Sequence, residues 1–310
     1  MRILVVGAGA IGGYFGARLL AAGRDVTFLV RPGRQAQLAK TGLVVKSKLG
    51  DLDLPPPPTV TADKLTGPYD LILLSCKAFD LDNAMDSFAP AVGPNTAILP
   101  LLNGMGHLDA LVARFGEGAV LGGQCAISLV LDTEGRVLHL NDGGTISFGE
   151  RAGARTARID AIAEAFAAAK VSGGASDTIL QEMWEKWVFI STAAGITCLM
   201  RAAVGDIVAA GAADRTLALF DEISAVATAQ GFAPRPASVQ RGKTMLTTAG
   251  SPFTASMLRD VEGGRAIEAD HMLGDLLKRS GKEDGFPVLR MAYAHLKAYE
   301  ARRARTQTKP

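Results

Sequence analysis

The chain has 310 residues, which indicates two domains at about 100–200 residues per domain. Apolar residues make up 48% and charged residues 21%, and these values exclude a largely disordered chain. The 33 Lys and Arg residues nearly balance the 31 Asp and Glu residues, so no basic excess points to nucleic acid or to an anionic membrane surface. The three widely spaced cysteines form no disulfide framework, and we therefore expect a cytoplasmic location.

The first half of the chain alternates strand and helix patterns. We predict strands at Arg2–Val6, Asp25–Val30, Tyr69–Cys76, Thr96–Leu102, Ala119–Leu131 and Arg136–Phe148, and helices at Ala10–Ala22, Ala36–Lys40, Asp80–Phe88 and Arg155–Lys170. Residues 43–61 are less regular. Within them, Pro55–Pro58 is interpreted as a stiff surface connection, the alternative being a ligand for a proline-recognising domain.

From Thr178 onward the pattern is almost entirely helical. We predict helices at Ile179–Leu199, Val204–Ala210, Arg215–Gln230, Ala237–Thr248, Ala266–Ser280 and Val288–Ala301, followed by a tail that frays after Arg302. The change of pattern places the domain boundary near Ser176, giving domains at residues 1–176 and 177–310. The most apolar stretch, Trp187–Met200, is shorter than the ~20 residues that a membrane-spanning helix needs.

A glycine-rich motif, Gly7-Ala8-Gly9-Ala10-Ile11-Gly12, follows the first strand and opens the first helix. The spacing G-x-G-x-x-G inside a strand–helix–strand unit is typical of dinucleotide binding. The first glycine permits a tight turn, the second lets the backbone approach the pyrophosphate, and the third allows close packing of the helix. The helix N-terminus then offers free N–H groups to the phosphates. The alternative is a glycine-rich turn without a ligand.

The end of the second strand bears on the choice between NAD and NADP. NAD sites usually carry an acid there, which accepts a hydrogen bond from the ribose 2′-hydroxyl. In this chain the position holds Arg31, Arg34 follows one turn later, and no acid competes. We therefore expect Arg31 to pair with a 2′-phosphate and NADP(H) to be the cofactor, the alternative being a merely solvated arginine.

Two polar residues follow later strands of the same expected sheet. Lys77 follows the strand that ends at Cys76, and Asn103 follows Leu102. Ligands of open parallel sheets bind outside the carboxyl ends of the strands, so both side chains fall on the expected cofactor edge. Taken singly, a solvated lysine and an Asn-Gly turn are the favoured interpretations. The joint placement of both residues beside a dinucleotide-binding loop shifts the preference toward a functional role.

Five motifs occur in order along nearly the whole chain: GAGAIG, SCKAF, LLNGMG, EMWEKW and SMLRDVEGGRAIEAD. Together they resemble the ketopantoate reductase (2-dehydropantoate 2-reductase) family. The resemblance implies an α/β protein, with an N-terminal Rossmann-type dinucleotide-binding domain followed by an all-helical C-terminal domain. It also implies NADPH-dependent reduction of 2-dehydropantoate to pantoate, on the route to pantothenate and coenzyme A, with a hydride from nicotinamide C4.

The resemblance also implies roles for single residues. Lys186 in EMWEKW matches the catalytic lysine, which serves as general acid, and Glu268 matches an acid of the active site. Ser256 matches a serine that holds the substrate. Lys77 and Asn103 match residues that lie near both the nicotinamide and the substrate. Without the resemblance, Lys186 would be interpreted as a lysine that extends past Trp184 and Trp187 to water, and Glu268 as an exposed helix acid.

The chain departs from the family at three positions that bear on substrate. Pantoate-forming members carry asparagines where this chain has Ile190 and Ala194, one and two turns after the lysine. A third asparagine is replaced by Phe253. A site lined by these side chains favours a less polar 2-keto acid, unless the hydroxyls of Ser191, Thr192 or Thr197 compensate.

Three alternatives therefore stay open beside ketopantoate: another 2-oxo acid, an opine-type dehydrogenase, and a non-catalytic NADP(H)-binding sensor. The four histidines are scattered and predict no metal site. We expect a small-molecule substrate, neither nucleic acid nor membrane as a partner, and a homodimer as one plausible assembly.

Overall fold

The computed structural model describes residues 1–282 and 284–307. The chain separates into two compact units. We call residues 1–103 and 107–179 the N-terminal unit, and residues 104–106 and 180–310 the helical unit. The change from one unit to the other at residues 179–180 lies just after the boundary expected at residue 176. The short segment 104–106, which follows Asn103, groups with the helical unit, and no pattern in the sequence indicates this.

The strands, in chain order, are β1 (Arg2–Val6), β2 (Asp25–Leu29), β3 (Leu43–Lys46), β4 (Leu52–Leu54), β5 (Thr59–Val60), β6 (Leu71–Leu74), β7 (Ala97–Pro100), β8 (Gly122–Ala126), β9 (Leu129–Leu131), β10 (Val137–His139), β11 (Thr145–Gly149) and β12 (Ser172–Ala175). The helices are α1 (Ala10–Ala21), α2 (Pro32–Thr41), α3 (Leu81–Phe88), α4 (Gly106–Phe115), α5 (Ala157–Ala168), α6 (Ile179–Met200), α7 (Val204–Ala209), α8 (Ala213–Ala229), α9 (Pro236–Leu246), α10 (Ser256–Glu262), α11 (Asp275–Ser280) and α12 (Pro287–Gln307).

The core of the N-terminal unit is a parallel sheet with the strand order β5-β2-β1-β6-β7. Its central strands are continuous apolar runs that are buried along almost their whole length, as expected for a sheet covered on both faces. The close approach of α1 to this sheet depends on Gly16, because a Cβ there would lie 2.4 Å from the ring of Phe28. The expected α/β architecture of this half is therefore confirmed, and the carboxyl ends of β1, β2, β6 and β7 share one edge.

Two of the predicted strands were wrong in extent. Residues 119–131 form β8 and β9 in different sheets, and residues 136–148 likewise form β10 and β11. The chain leaves the ladder at Ser128, whose backbone N–H donates to the side-chain oxygen of Asn141 at 2.8 Å. Because this N–H bonds to a side chain and not to a neighbouring strand, strand pairing is interrupted here. Each predicted strand is thereby divided between two sheets.

Other elements also differ from the predictions, among them β3, β4 and β5 in the irregular stretch and α2, which begins at Pro32. Helices α4 and α10 were not predicted, and neither was β12, whose sequence SGGA lacks strand-forming residues. Strand β12 forms because Gly173 lies against Ile146, where a Cβ would approach the Ile146 carbonyl oxygen to 2.0 Å. Helix α12 runs to Gln307, so the fraying expected after Arg302 does not occur in the described residues.

The helical unit is built on α6, whose apolar residues are buried on nearly every side. Trp184 and Trp187 lie with ring centroids 4.9 Å apart, and Phe232 stacks on Trp184 at 5.7 Å. Burial on all sides explains why this segment is so apolar in sequence. Within the described part of the chain, no helix combines the length and apolar character that a membrane crossing requires.

Candidate active site

The glycine-rich loop has the geometry that its spacing predicts. Gly7 has a φ of +90°, which favours glycine, at the turn out of β1. A Cβ at Gly9 would meet nothing within 4 Å, whereas a Cβ at Gly12 would lie 2.1 Å from the Gly7 carbonyl oxygen. Gly9 is also the N-cap residue of α1 and leaves the first turn without a side-chain cap or an acidic residue. The loop therefore presents open space and uncapped N–H groups, which suit an anionic phosphate.

Burial and a hydrogen bond from Ser75 hold the rest of the loop against the sheet. Ala8 is buried, whereas Ala10 and Ile11 are half-buried at the start of α1. The hydroxyl of Ser75, directly after β6, donates to the Val6 carbonyl at 3.1 Å. Ser75 thus connects the end of β6 to the end of β1, a role that the sequence did not suggest.

Arg34 stabilises the glycine-rich loop through hydrogen bonds. Its Nε donates to the Ala8 carbonyl at 2.9 Å, its Nη1 to the side-chain oxygen of Gln37, and its Nη2 to the Gly135 carbonyl at 3.1 Å. Burial lowers the pKa of this guanidinium from its usual value, although it stays charged. Because all three nitrogens donate to acceptors within the N-terminal unit, Arg34 supports the loop.

Arg31 forms an ion pair that the sequence did not reveal. It directly precedes α2, and its Nη2 donates to Oδ1 of Asp80 at 2.8 Å. Asp80 belongs to the segment after β6, which also carries Lys77. The expectation that no acid competes for Arg31 is therefore wrong. The residues at the end of β2 include no acid, but the sheet order places the segment after β6, with Asp80, on the other side of β1.

Lys77 and Asn103 follow β6 and β7 on the shared edge of the sheet. Lys77 is exposed, and its carbonyl accepts from the backbone N–H of Asp80 at 2.9 Å. Asn103 is half-buried and is followed by Gly104, whose φ is +76°. Within the helical unit, a Cβ at Gly104 would approach Nε2 of His271 to 3.1 Å. The turn after Asn103 therefore requires glycine for both its conformation and its close contact.

In the helical unit, Lys186, Ile190 and Ala194 lie four residues apart on α6, and so on one face of it. Lys186 and Ile190 are half-buried, and Ala194 is buried. The neighbouring residue Phe189 stacks on Phe253, with ring centroids 5.9 Å apart. The positions that carry asparagine in pantoate-forming members are thus apolar here, and one of them is part of an aromatic pair.

Ser256 is exposed and is the first residue of α10. Glu268 is half-buried and lies just before a π-helical turn, Asp270–Gly274, that leads into α11. Such turns are rare and often occur at functional sites, because they change which backbone groups are hydrogen-bonded. Here the Met272 carbonyl accepts two side-chain donors of α6, the indole N–H of Trp187 at 3.1 Å and the hydroxyl of Ser191 at 3.2 Å.

An ion pair between a buried carboxylate of α6, Glu185, and the 51% exposed side chain of Arg235 holds the first turns of the helix. Glu185, the neighbour of Lys186, is 7% exposed and accepts from Arg235 at 2.7 and 2.8 Å. Burial opposes its ionisation, but hydrogen bonds from Arg235 and Gln181 together outweigh this effect and lower the pKa of Glu185. Arg235 lies 50 residues further along the chain, so no local pattern could have indicated the pair.

Comparisons with known proteins identify the family. A family model described as "Ketopantoate reductase PanE/ApbA" matches residues 3–153, and one described as "Ketopantoate reductase PanE/ApbA C terminal" matches residues 178–300. The chain belongs to the ketopantoate reductase family. The resemblance noted in the sequence is thereby confirmed, as is the expected fold class.

Three relatives illustrate the match. The chain is 39% identical to "Uncharacterized oxidoreductase YkpB" of Bacillus subtilis (strain 168), over 97% of this chain and 99% of that protein. It is 29% identical to a 2-dehydropantoate 2-reductase of Mesorhizobium japonicum, over 88% and 89% of the two chains. The crystal structure of 2-dehydropantoate 2-reductase from Geobacter metallireducens GS-15 is 31% identical, covers 96% of this chain and 99% of that one, and has a TM-score of 0.86.

Membership of the ketopantoate reductase family determines the class of chemistry. The chain is an oxidoreductase that acts on the CH–OH group, reduces 2-keto acids and uses a nicotinamide dinucleotide, with NADP(H) typical of the family. The residues present fit that cofactor, because the open space at Gly9 and the uncapped start of α1 form a cradle that any side chain at residue 9 would fill. Among residues 1–282 and 284–307, no group of three or more His, Cys, Asp or Glu side chains is placed to hold a metal ion.

Proposed function

We propose that this chain reduces a 2-keto acid whose side chain is less polar than that of ketopantoate. The main support for the proposal is the stack of Phe253 on Phe189. It places an aromatic ring where pantoate-forming members have an amide that could hydrogen-bond a substrate hydroxyl. Ile190 and Ala194 extend the same apolar character along α6. An apolar surface prefers a substrate carbon chain without a hydroxyl, since a buried hydroxyl without a partner costs free energy.

The nearby hydroxyls do not restore the lost polarity. Ser191, Thr192 and Thr197 are all fully buried. Each donates to a main-chain carbonyl of the helical unit, at 3.2, 2.8 and 2.6 Å respectively. Because these donors are engaged within the protein, the compensation considered from the sequence has no support in the geometry.

The residues of the helical unit supply the acid chemistry in this proposal. The ammonium of Lys186 donates a proton to the alkoxide that forms as the keto group is reduced. Glu268 orients Lys186 or accepts a hydrogen bond from the product hydroxyl, and Ser256 binds the substrate carboxylate.

The N-terminal unit holds the cofactor. When bound, the nicotinamide dinucleotide supplies the hydride that reduces the keto carbon. The backbone of Gly7-Ala8-Gly9-Ala10-Ile11-Gly12 binds the pyrophosphate, and Arg31 contacts the ribose end. Lys77 and Asn103 act at the nicotinamide and the substrate. These roles are supported by the placement of all four segments at the carboxyl edge of the sheet.

Two substrates that differ by one hydroxyl test the proposal. Ketopantoate and 3,3-dimethyl-2-oxobutanoate have the same carbon skeleton, and the second lacks only the 4-hydroxyl group. We expect kcat/KM to favour 3,3-dimethyl-2-oxobutanoate, by up to about 100-fold for an apolar wall. A site built to hydrogen-bond the hydroxyl would instead favour ketopantoate by about 10⁴-fold or more, and that result would overturn the proposal.

The second candidate is reduction of ketopantoate itself, with a place in pantothenate and coenzyme A biosynthesis. It is favoured by the names of the relatives and by the presence of Lys186, Asn103, Ser256 and Glu268 at the family positions. The same four residues argue against a non-catalytic NADP(H) sensor. Tight binding of NADPH with no turnover of any 2-keto acid would support the sensor and exclude both reductase candidates.

A further inference from the structure

The ion pair between Arg31 and Asp80 occupies the position at which NAD and NADP are distinguished. Strands β2 and β6 lie on either side of β1, and the pair joins the segments that follow them. The end of β1 leads into Gly7, the first residue of the glycine loop. The carboxylate of Asp80 is therefore held at the ribose end of the proposed cofactor site, on the arginine expected to receive a 2′-phosphate.

The second arginine of this segment, Arg34, is engaged by the glycine loop and its surroundings. All three nitrogens of Arg34 donate within the N-terminal unit, and one of these bonds supports the glycine loop through Ala8. Turning Arg34 toward a 2′-phosphate would break bonds that position the loop. Arg31 is therefore the arginine of this segment that is expected to bind a 2′-phosphate. Its affinity for the phosphate depends on its ion pair with Asp80.

We propose that Asp80 is a specificity-determining residue that lowers the preference of this chain for NADPH over NADH. The inference rests on the proposed cofactor role of the glycine loop. A 2′-phosphate that pairs with Arg31 shares the guanidinium with Asp80 and lies near its negative charge, whereas a 2′-hydroxyl can donate to a carboxylate, as it does in NAD sites. Asp80 therefore penalises the phosphate and accommodates the hydroxyl.

The exposure of the pair determines the size of the effect. The side chains of Arg31 and Asp80 are 70% and 36% exposed, so the pair opens readily and is screened by salt. Asp80 thus reduces the preference for NADPH without preventing its use. From the strength of exposed ion pairs, we expect removal of the carboxylate to raise affinity for a 2′-phosphate about fivefold at low salt.

Two small probes isolate this effect in the full-length protein. Adenosine 2′,5′-bisphosphate and 5′-AMP differ only by the 2′-phosphate, and both can be titrated calorimetrically without turnover. In Asp80→Asn we expect adenosine 2′,5′-bisphosphate to bind about fivefold more tightly, with the affinity for 5′-AMP unchanged. Asp82→Asn removes the same charge from an exposed position in α3 and should change neither affinity.

A double-variant cycle shows whether Asp80 acts through Arg31. In an Arg31→Ala background, Asp80→Asn should have little further effect on the bisphosphate. An undiminished effect in that background, no gain for Asp80→Asn, or an equal gain for 5′-AMP would each overturn the proposal. Failure of both probes to bind the wild-type protein would instead contradict the cofactor role of the glycine loop, so the two failures are distinguishable.

Discussion

The indole N–H of Trp187 donates to the main-chain carbonyl of Met272 at 3.1 Å, across 85 residues of chain. Trp187 directly follows Lys186, and the N–H of Met272 donates to the Glu268 carbonyl at 2.9 Å. Together with the Ser191 hydroxyl, which donates to the same carbonyl, this contact links the helix that carries the proposed general acid to the segment that carries the proposed acidic partner. The π-helical turn leaves the Met272 carbonyl in position to accept it.

Trp187→Phe should impair both stability and turnover. The substitution keeps an aromatic ring but removes the N–H, and loss of a buried hydrogen bond costs about 1–3 kcal/mol. Because the link to the Glu268 segment is weakened, we also expect kcat to fall, which steady-state kinetics beside urea unfolding would detect. Trp184→Phe is the matched control, since it trims a neighbouring indole without touching the Met272 contact. Equal kcat for the two variants would show that this link does not position the site.

Lys186→Ala should lower turnover about 10²–10⁴-fold, the usual contribution of a positioned general acid. We expect NADPH affinity, measured by fluorescence titration, to change little, because the proposed cofactor residues lie in the N-terminal unit. Lys186→Arg should also be slow, since a guanidinium does not release its proton at neutral pH. Lys278→Ala removes an exposed ammonium of α11 and should retain full activity. Full activity of Lys186→Ala would exclude the general-acid role.

The parts of the fold that could be predicted are those with a local signal. The apolar runs of β1 and β6 and the spacing of Gly7, Gly9 and Gly12 depend only on adjacent residues, so the parallel sheet and the cofactor loop follow from them. Strand β12 has no such signal, because glycine has no strand preference and the strand exists only through its fit against β11.

The features that could not be predicted depend on which distant segments meet. Asp80 reaches Arg31 only because β1 lies between β2 and β6, and sheet order is a tertiary property. The partners of Glu185 and of Trp187 lie 50 and 85 residues away. In each case the residue itself is unremarkable in sequence, and its role arises from burial and from a distant hydrogen-bonding partner.

The ion pair between Glu185 and Arg235 should make stability depend on pH at the acid end. The pKa of Glu185 is lower in the folded protein than in the unfolded chain, so its contribution is complete above about pH 5 and is lost as the pH falls through the folded pKa. Glu185→Gln should cost about 1–3 kcal/mol at pH 7. The Tm difference between wild type and variant should then shrink toward pH 3.

A surface ion pair provides the control for this pH dependence. Lys243 and Asp221 approach to 2.7 Å in the same unit, but their side chains are 33% and 61% exposed. We expect Asp221→Asn to change stability by less than about 1 kcal/mol. A pH-independent Tm difference for Glu185→Gln would mean that its carboxylate is not the group whose titration matters.

Phe253→Asn should move substrate preference toward ketopantoate. It restores at one position the amide found in pantoate-forming members and removes the stack on Phe189. We expect the ratio of kcat/KM for ketopantoate to that for 3,3-dimethyl-2-oxobutanoate to rise about tenfold, as a hydroxyl gains a partner. Phe253→Leu, which stays apolar, should leave the ratio near the wild-type value. A similar rise in both variants would attribute the change to space and not to hydrogen bonding.

Alanine at Gly9 and alanine at Gly12 should both weaken NADPH binding, but only the second should impair folding. A Cβ at Gly9 meets nothing within 4 Å, so Gly9→Ala should fold with a loss of no more than about 1 kcal/mol. Its methyl group nevertheless occupies the space proposed for the pyrophosphate, and we expect NADPH affinity to fall about tenfold or more. A Cβ at Gly12 lies 2.1 Å from the Gly7 carbonyl oxygen and 2.4 Å from Oγ of Ser75.

Gly12→Ala should therefore distort the loop itself, lowering both the Tm and the affinity for NADPH, because the contact with the Gly7 carbonyl oxygen cannot be relieved without moving backbone. Thermal unfolding and fluorescence titration of the two variants separate these effects. Wild-type NADPH affinity in Gly9→Ala would contradict the cradle, since the added methyl group would then stand in space that the cofactor does not use. An unchanged Tm in Gly12→Ala would contradict the close approach between residue 12 and the Gly7 carbonyl oxygen.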